Sequence, residues 1–123
     1  MVWYPDKSFI LMVHERMLTE FGGHKGIRQK RFFDSILNVI LDKMKEEEDT
    51  YMEAAILLRE LATTPLFEDA NKRTAFSVTH TFLSMNGVEV KRRYEEDETL
   101  RFLKALRQYT FGEIAGWLKS GRT

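Results

Sequence analysis

The chain has 123 residues, 43% of them hydrophobic and 12% aromatic, which is enough apolar material for a single folded domain over residues 1–123 and excludes a disordered tail. Its 19 basic and 19 acidic side chains give no net charge, which argues against nucleic-acid binding through bulk positive charge, and the lack of cysteine excludes disulfides, thiolate metal sites and cysteine nucleophiles. No signal peptide and no membrane-spanning stretch is recognisable, so we expect a cytoplasmic protein that contacts neither nucleic acid nor membrane.

The first predicted helix follows Asp6 and runs to about Phe21. Aspartate is favoured just before a helix, where its carboxylate accepts hydrogen bonds from free backbone N–H groups. The pair Gly22-Gly23 is expected to end the helix, because glycine disfavours the helical conformation. Apolar residues at helical spacing form one inward-facing stripe, which contains Phe9, Ile10, Val13, Met17 and Phe21.

A second helix is predicted from about Gln29 to Lys43, after a turn at Gly26. The polar run that continues to Asp49 has the charge pattern of a solvated helix end and loop. The second helix has a broad apolar face, which contains Phe32, Phe33, Ile36, Leu37, Ile40 and Leu41.

The third helix is predicted from about Thr50 to Thr63 and stops at Thr64-Pro65, because the residue before a proline disfavours the helical conformation. The fourth is predicted from about Asn71 to Asn86, where Asn86-Gly87 matches a helix C-cap. Its apolar residues cover most of the circumference, which predicts a buried central helix. Those residues include Ala75, Phe76, Val78, Phe82, Leu83 and Met85.

The C-terminal third predicts two more helices. Residues 88–90 are expected to be extended and residues 91–97 to form a charged surface loop. A fifth helix is predicted from Glu98 to Gln108, and Thr110 with Glu113 forms a capping box for a last helix through Lys119. The whole pattern predicts an all-α bundle of about six helices.

The segment from Phe67 to Thr74 departs from the charge pattern of an ordinary helix start. Helix N-termini carry partial positive charge, yet Lys72 and Arg73 occupy the first turn, where each costs about 0.3–1 kcal/mol. Two interpretations are open. Either Glu68 and Asp69 pair with the two bases, or a bound anion offsets their charge, because the free N–H groups of a helix start bind phosphates.

The second interpretation gives each residue a role. Lys72 and Arg73 add positive charge, and the planar guanidinium of Arg73 offers two parallel donors to a phosphate. Asp69 is a candidate ligand for a Mg²⁺ ion that bridges the phosphates of a nucleotide. Asn71 either braces the loop or contacts a phosphate, and the small side chain of Ala70 leaves room for the ligand.

The same run resembles the signature of the Fic/Doc family, His-x-Phe-x-Asp/Glu-Gly/Ala-Asn-Lys/Gly-Arg. Flanking segments resemble the family as well, from His14 to Arg28 on one side and as far as Leu118 on the other. Lys72 stands where Fic proteins have a second glycine, which places the sequence nearer the Doc, or death-on-curing, branch. The matching residues are Phe67, Asp69, Ala70, Asn71, Lys72 and Arg73.

The resemblance implies a Fic/Doc-type helical bundle and a transferase function that uses ATP and Mg²⁺. Fic members transfer nucleotide monophosphates to protein hydroxyls, whereas the Doc branch transfers a phosphoryl group. By resemblance, Asp69 coordinates Mg²⁺, Asn71, Lys72 and Arg73 contact phosphates, and Phe67 anchors the loop in the core. Doc proteins are toxins of toxin–antitoxin pairs, so an antitoxin-like partner whose helix covers the site is also implied.

One departure from the family bears directly on catalysis. The family's catalytic histidine, the general base for the acceptor hydroxyl, lies two residues before the phenylalanine, and here that position is Pro65. Rescue by His14, His24 or His80 is not favoured by their positions, and the three lack the spacing of a metal site. We expect His14 to form a local hydrogen bond instead. The aromatic and proline- or glycine-rich flap that usually precedes the third helix is also missing.

Three hypotheses remain from the sequence. The first is a degenerate or very weak Doc-type phosphoryl or nucleotidyl transferase that keeps a nucleotide-binding loop without a catalytic residue. The second is an active Doc-like toxin kinase or AMP transferase that uses another base. The third is a non-enzymatic interaction module in which Asp69, Asn71 and Arg73 only brace the loop.

Overall fold

The all-α prediction is confirmed by a computed structural model, which describes residues 1–28, 30–88, 90, 93 and 96–120. Two short 3₁₀ helices, Lys30–Phe32 and Leu106–Gln108, accompany the α-helices. The described residues form six α-helices, which are α1 (Lys7–Phe21), α2 (Phe33–Lys45), α3 (Thr50–Thr63), α4 (Asn71–Met85), α5 (Asp97–Lys104) and α6 (Phe111–Ser120).

The core lies between α3 and the helices around it. Helix α3 packs against α2, α4 and α6, and α4 lies between α3 and α1. Helix α4 is buried over most of its length, which confirms the predicted central helix that follows the segment from Phe67 to Ala70. Its buried residues are Thr74, Ala75, Phe76, Val78, Thr79, Phe82 and Leu83.

Local side-chain chemistry sets the predicted helix ends. The Asp6 carboxylate accepts a hydrogen bond from the Phe9 N–H at 2.9 Å and caps α1. Before α6, the Thr110 hydroxyl accepts from the Glu113 N–H at 3.1 Å, and the Glu113 carboxylate accepts from the Thr110 N–H at 2.9 Å. These hydrogen bonds confirm both predicted caps. The caps can be predicted from sequence because each joins residues only three positions apart.

Two predicted helices are interrupted in the structure. The second was predicted to begin at Gln29, which lies outside the described residues, and the structure has the 3₁₀ turn before α2 instead. The fifth helix was predicted to reach Gln108, but in the structure it ends at Lys104 and is followed by the 3₁₀ turn Leu106–Gln108. At the break the Phe102 ring stacks on Trp117 at 4.0 Å and on Tyr109 at 4.7 Å. These aromatic contacts lie next to the point where α5 ends, and the chain continues there as a 3₁₀ turn instead of a continuous α-helix.

Three apolar residues predicted to be on inward faces lie at the surface. Phe21 is 43% exposed, Phe32 is 52% exposed, and Met85 is 56% exposed. Phe21 and Met85 are in the last turns of α1 and α4, and Phe32 is in a 3₁₀ turn. Helical periodicity assigns a residue to a face, but whether a neighbouring helix extends far enough to cover that face depends on packing.

The first residues of the chain are tied to the core at two places. Asn86, just after α4, accepts from the Trp3 N–H at 2.8 Å and donates to the Trp3 carbonyl at 2.9 Å. The Tyr4 hydroxyl donates to the Glu53 carboxylate on α3. That hydrogen bond raises the pKa of Tyr4 to about 12, and burial raises the pKa of Glu53. Both shifts favour protonated groups at this contact.

Two further predictions fall partly outside the residues that the structure describes. Glu89, in the predicted extended segment at residues 88–90, lies outside them, and so does most of the predicted charged loop at residues 91–97. The C-cap prediction at Asn86-Gly87 is confirmed, since Gly87 has φ +77° and its N–H donates to Ser84. Among the described helices, none has the length and apolarity needed to cross a bilayer.

Candidate functional site

The connection between α3 and α4, residues 64–70, is called the motif loop here. It ends at Ala70, which has φ 65° and ψ 24° and lies in the left-handed region. Among the described residues that are not glycine, Ala70 alone has a positive φ. Its N–H donates to Oδ1 of Asp69 at 2.7 Å. The Asp69 side chain therefore holds the turn from which α4 begins.

Phe67 anchors the motif loop in the core and is only 2% exposed. Its ring stacks on the His14 imidazole with 3.6 Å between the ring centroids. It meets the Phe33 ring edge-on with 5.6 Å between the centroids. The Asn71 side chain braces the same residue from α4. Oδ1 of Asn71 accepts from the Phe67 N–H at 3.1 Å, and Nδ2 donates to the Phe67 carbonyl at 2.9 Å. The bracing role considered for Asn71 is thus present in the structure.

The segment from Gly22 to Arg28, which joins α1 to the first 3₁₀ turn, lies directly against the motif loop. The Arg28 N–H donates to the Leu66 carbonyl at 2.9 Å, and the Glu68 N–H donates to the Gly26 carbonyl at 3.0 Å. These bonds flank an isolated antiparallel bridge between residues 27 and 67. Two segments about forty residues apart in sequence therefore form one rigid unit.

His14 contributes to this unit from α1. Its Nε2 lies 2.9 Å from the Asp69 carbonyl oxygen, and since that oxygen can only accept, Nε2 carries the proton and donates. The prediction of a local hydrogen bond for His14 is wrong, because the partner is 55 residues away. Nothing in the sequence around His14 signals this contact, which depends on how α1 packs against α4.

The Asp69 carboxylate is held by backbone donors on both oxygens. Oδ2 accepts from the His24 N–H at 3.1 Å, and Oδ1 accepts from the Ala70 N–H. These two hydrogen bonds lower the pKa of Asp69, and the nearby Arg73 guanidinium, whose Nη2 is 3.9 Å from Oδ1, lowers the pKa further. The side chain is 38% exposed, so an ionised and accessible carboxylate is available at neutral pH.

An ionised carboxylate suits Mg²⁺, which is bound in proteins by one or two carboxylates together with waters and substrate phosphates. In the described part of the chain, no cluster of three or more acidic or histidine side chains has the geometry of a metal site. The residues present therefore fit a Mg²⁺ ion whose remaining ligands come from a phosphate-bearing molecule. Asp69 would be the protein ligand in that arrangement.

The first turn of α4 leaves backbone donors free. The helical hydrogen-bond ladder begins with the Thr74 N–H, which donates to the Ala70 carbonyl at 3.0 Å. Among the described residues, no acceptor contacts the N–H groups of Asn71, Lys72 and Arg73. Unpaired N–H groups and the positive end of the helix dipole attract anions.

The two bases at this turn differ in their surroundings. Arg73 lies near Asp69, and its guanidinium also stacks over the Phe21 ring at 5.6 Å. Glu68 lies 3.8 Å from Arg28 rather than beside Lys72. Within the described ranges Lys72 is exposed and has no acidic partner. The interpretation in which both bases are neutralised locally is therefore correct for Arg73 and wrong for Lys72.

A cavity of about 510 Å³ opens beside the motif loop. Its lining includes Pro65, Asn71 and Lys72 from the motif loop and α4, together with residues 103–108 and with Arg28, Ala62 and Thr63. Its lining, as far as the structure describes the chain, contains no carboxylate and no imidazole. Asp69 and Arg73 do not line it and lie instead beside the Gly22–Arg28 segment. The structure thus places the predicted phosphate contacts in two groups on either side of the α4 N-terminus.

Gly23 lies where the Gly22–Arg28 segment meets Asp69. It has φ +125°, and a Cβ at this position would lie 2.7 Å from Asp69 Oδ2. We expect Gly23→Ala to lower the free energy of unfolding by more than the ~1–3 kcal/mol of backbone strain alone, because the carboxylate must also move. The measurement is urea unfolding.

The matched control is Gly22→Ala. Gly22 also has a positive φ, +80°, but nothing lies within 4 Å of a Cβ built there. Backbone strain is present in both variants, so the difference between them reports the close contacts with Asp69 and with Leu18, whose Cδ2 would lie 3.1 Å from the added Cβ. Equal destabilisation of the two variants would show that Gly23 is needed for its φ alone.

Comparison with known proteins gives two matches for this chain. Residues 4–83 match the model of the Fic/DOC family. The chain is also similar to the protein named "Protein kinase doc" of Escherichia phage P1, with 30% identity over 83 residues. That match covers 66% of this chain and 66% of the phage protein, slightly less than two thirds of its length. The family match covers α1 to the end of the buried part of α4, with the motif loop between them, and on this ground the chain belongs to the Fic/DOC family.

Proposed function

We propose that this protein binds a nucleotide or a related phosphate-bearing ligand at the N-terminus of α4 and transfers its phosphate group very weakly or not at all. The observation that carries the proposal is the first turn of α4, where free N–H groups and the unpaired Lys72 lie beside a cavity of about 510 Å³. This volume lies within the range of about 300–1,000 Å³ that is typical of small-molecule sites. Membership of the family supports ATP with Mg²⁺ as the ligand.

Weak transfer is proposed because the part of the cavity lining that the structure describes offers no general base. Pro65 lines the cavity at the position that corresponds to the family's histidine, and proline has no group that can accept a proton. A positioned general base typically contributes about 10²–10⁴-fold to a rate. Phosphoryl transfer depends mainly on positioning and on charge stabilisation, so slow residual transfer is compatible with the site.

An active kinase or AMP transferase that uses another base is the second candidate for the same cavity. The positions of the histidines argue against it. His14 is engaged with Asp69 and stacked on Phe67, His24 is on the other side of the motif loop, and none of the three histidines lines the cavity. A general base must lie within hydrogen-bond reach of the proton it removes.

A non-enzymatic interaction module is favoured by a different observation. Asp69 and Asn71 use their side chains to hold the backbone of the motif loop and of the segment beside it. A loop with these residues can therefore be retained for its shape. This alternative predicts that Asp69→Asn lowers the melting temperature and that nucleotide does not change the melting temperature of either form.

Titration calorimetry with ATP, with and without Mg²⁺, tests the proposal. We expect saturable binding that Mg²⁺ strengthens, that Lys72→Gln weakens about tenfold, and that loses its Mg²⁺ dependence in Asp69→Asn. Lys72 is exposed, so its replacement leaves the core intact. Lys30→Gln, an exposed lysine outside the cavity lining, is the matched control.

Either of two results would contradict the proposal. The first is the absence of any ATP binding at millimolar concentration, and the second is binding that is equal in the wild type and in Lys72→Gln. Transfer is measured separately with ATP labelled at the α- or γ-phosphate. Label from the γ-phosphate indicates phosphorylation, and label from the α-phosphate indicates nucleotidylation. Rapid transfer of either label by the wild type would favour the active enzyme instead.

We further propose an antitoxin-like protein partner that covers the site, which family membership supports. The partner's helix would lie over the motif loop and therefore compete with the ligand. The expected result is that a purified partner and ATP exclude one another in calorimetry. Simultaneous, independent binding of both would contradict the proposal.

A further inference from the structure

The charged side chains that line the cavity beside the motif loop all have the same sign. As far as the structure describes the chain, all four charged residues in its lining are cations, although the whole chain has no net charge. They come from three separate parts of the sequence and are Arg28, Lys72, Lys104 and Arg107. Clefts lined by charges of one sign raise the local concentration of oppositely charged ligands, so we expect this surface to concentrate anions.

Local contacts neutralise this surface only in part. Arg28 has one carboxylate near it, that of Glu68, at 3.8 Å. Arg107 donates from Nη2 to the Thr63 carbonyl at 2.8 Å, which fixes the guanidinium at the C-terminal end of α3. Within the residues that the structure describes, Lys104 contacts no carboxylate, as is also true of Lys72.

The four cations belong to different structural elements that border the same cavity. Lys72 belongs to the first turn of α4, beside the free N–H groups of that helix. Lys104 is the last residue of α5, and Arg107 lies in the 3₁₀ turn that follows. A single phosphate held by the α4 N–H groups leaves Lys104 and Arg107 without an anionic partner. A cavity of about 510 Å³ has room for a longer anion.

We propose that Lys104 and Arg107 bind a second phosphate group of the same ligand, so that the cavity selects molecules with two or more linked phosphates. This inference rests on the proposed phosphate binding at α4 and extends it to residues outside the family motif. The shared chemistry is a chain of linked phosphates, whether free or attached to a nucleoside. Arg107 is the pre-positioned donor, and Lys104 supplies a mobile charge.

Calorimetry with inorganic triphosphate and with orthophosphate tests the inference on the intact protein. We expect triphosphate to bind at least tenfold more tightly than orthophosphate. Lys104→Gln should weaken triphosphate binding about tenfold and leave orthophosphate binding unchanged, since a hydrogen bond to a charged group typically carries that much affinity. Arg101→Gln, an exposed cation on the same helix but outside the cavity lining, is the control and should change neither.

A second pair of ligands separates the two sources of the phosphate chain. ATP that binds at least as tightly as triphosphate supports a nucleotide, whereas triphosphate that binds more tightly than ATP supports a free polyphosphate. In either case the inference requires that Lys104→Gln weaken the tighter ligand.

The failures of the two proposals are distinguishable. Triphosphate binding that Lys72→Gln weakens and Lys104→Gln does not would overturn the second phosphate site and leave the α4 site intact. Binding that depends on Lys104 and not on Lys72 would overturn the α4 site and with it the spanning ligand. No binding of any probe at millimolar concentration would overturn both.

Discussion

Replacing Pro65 by histidine should raise the rate of label transfer from ATP by about 10²–10⁴-fold, the usual contribution of a general base. Position 65 lines the cavity next to Lys72, so an imidazole there would lie beside the proposed phosphate site. Pro65 is not in the left-handed region, which means that histidine can adopt its backbone conformation without that strain. The expected gain is measured with the α- and γ-labelled nucleotides on a lysate or a purified acceptor.

Pro65→Ala and Pro65→Asn are the controls for this experiment. Both remove the proline ring, and asparagine adds a polar side chain without a titratable group. The gain in Pro65→His should also follow pH, increasing through the ordinary histidine pKa of about 6.5, because only the neutral imidazole accepts a proton. Equal rates for the histidine and alanine variants would show that this position is not where the acceptor hydroxyl arrives.

Phe67→Ala should lower the free energy of unfolding by about 3–5 kcal/mol, the usual range for a buried phenylalanine. Phe67 is 2% exposed, and its removal leaves a cavity between His14 and Phe33. Domains of this kind are stabilised by only about 5–15 kcal/mol, so this is a large part of the total. The measurement is chemical denaturation followed by tryptophan fluorescence, with ligand binding tested on the folded fraction.

Phe32→Ala is the matched control. It removes the same aromatic ring, but from a side chain that is 52% exposed at the surface. We expect it to change the free energy of unfolding by no more than about 0.5 kcal/mol. Since Asn71 brackets Phe67 on both its N–H and its carbonyl, the buried variant should also weaken ATP binding. Similar destabilisation by the two variants would mean that the motif loop is not anchored through its phenylalanine.

The features that could be predicted from sequence are those governed by near neighbours. The caps at Asp6 and Thr110 each join residues three positions apart, and helical periodicity placed all six helices within a few residues of their observed bounds. The motif from Phe67 to Arg73 is contiguous, so its resemblance to the Fic/Doc signature can be read directly. The comparisons then confirmed the family.

The contacts that build the site could not be predicted in this way, because they join distant parts of the chain. The partner of His14 is 55 residues away, and the donor on Asp69 Oδ2 is 45 residues away. Lys104 and Arg107 line a cavity with Lys72, which is more than thirty residues away in sequence. Periodicity likewise assigned Phe21 to an inward face, although the packing left it exposed.

Local sequence therefore accounts for the helices, their ends and the family motif, since the forces that determine these act within a few residues along the backbone. The side on which each motif residue lies, the bracing of Asp69 and the one-sided charge of the cavity depend on how the helices pack. Packing brings together residues whose separation in sequence carries no information about their separation in space, and this is why those features became visible only in the folded chain.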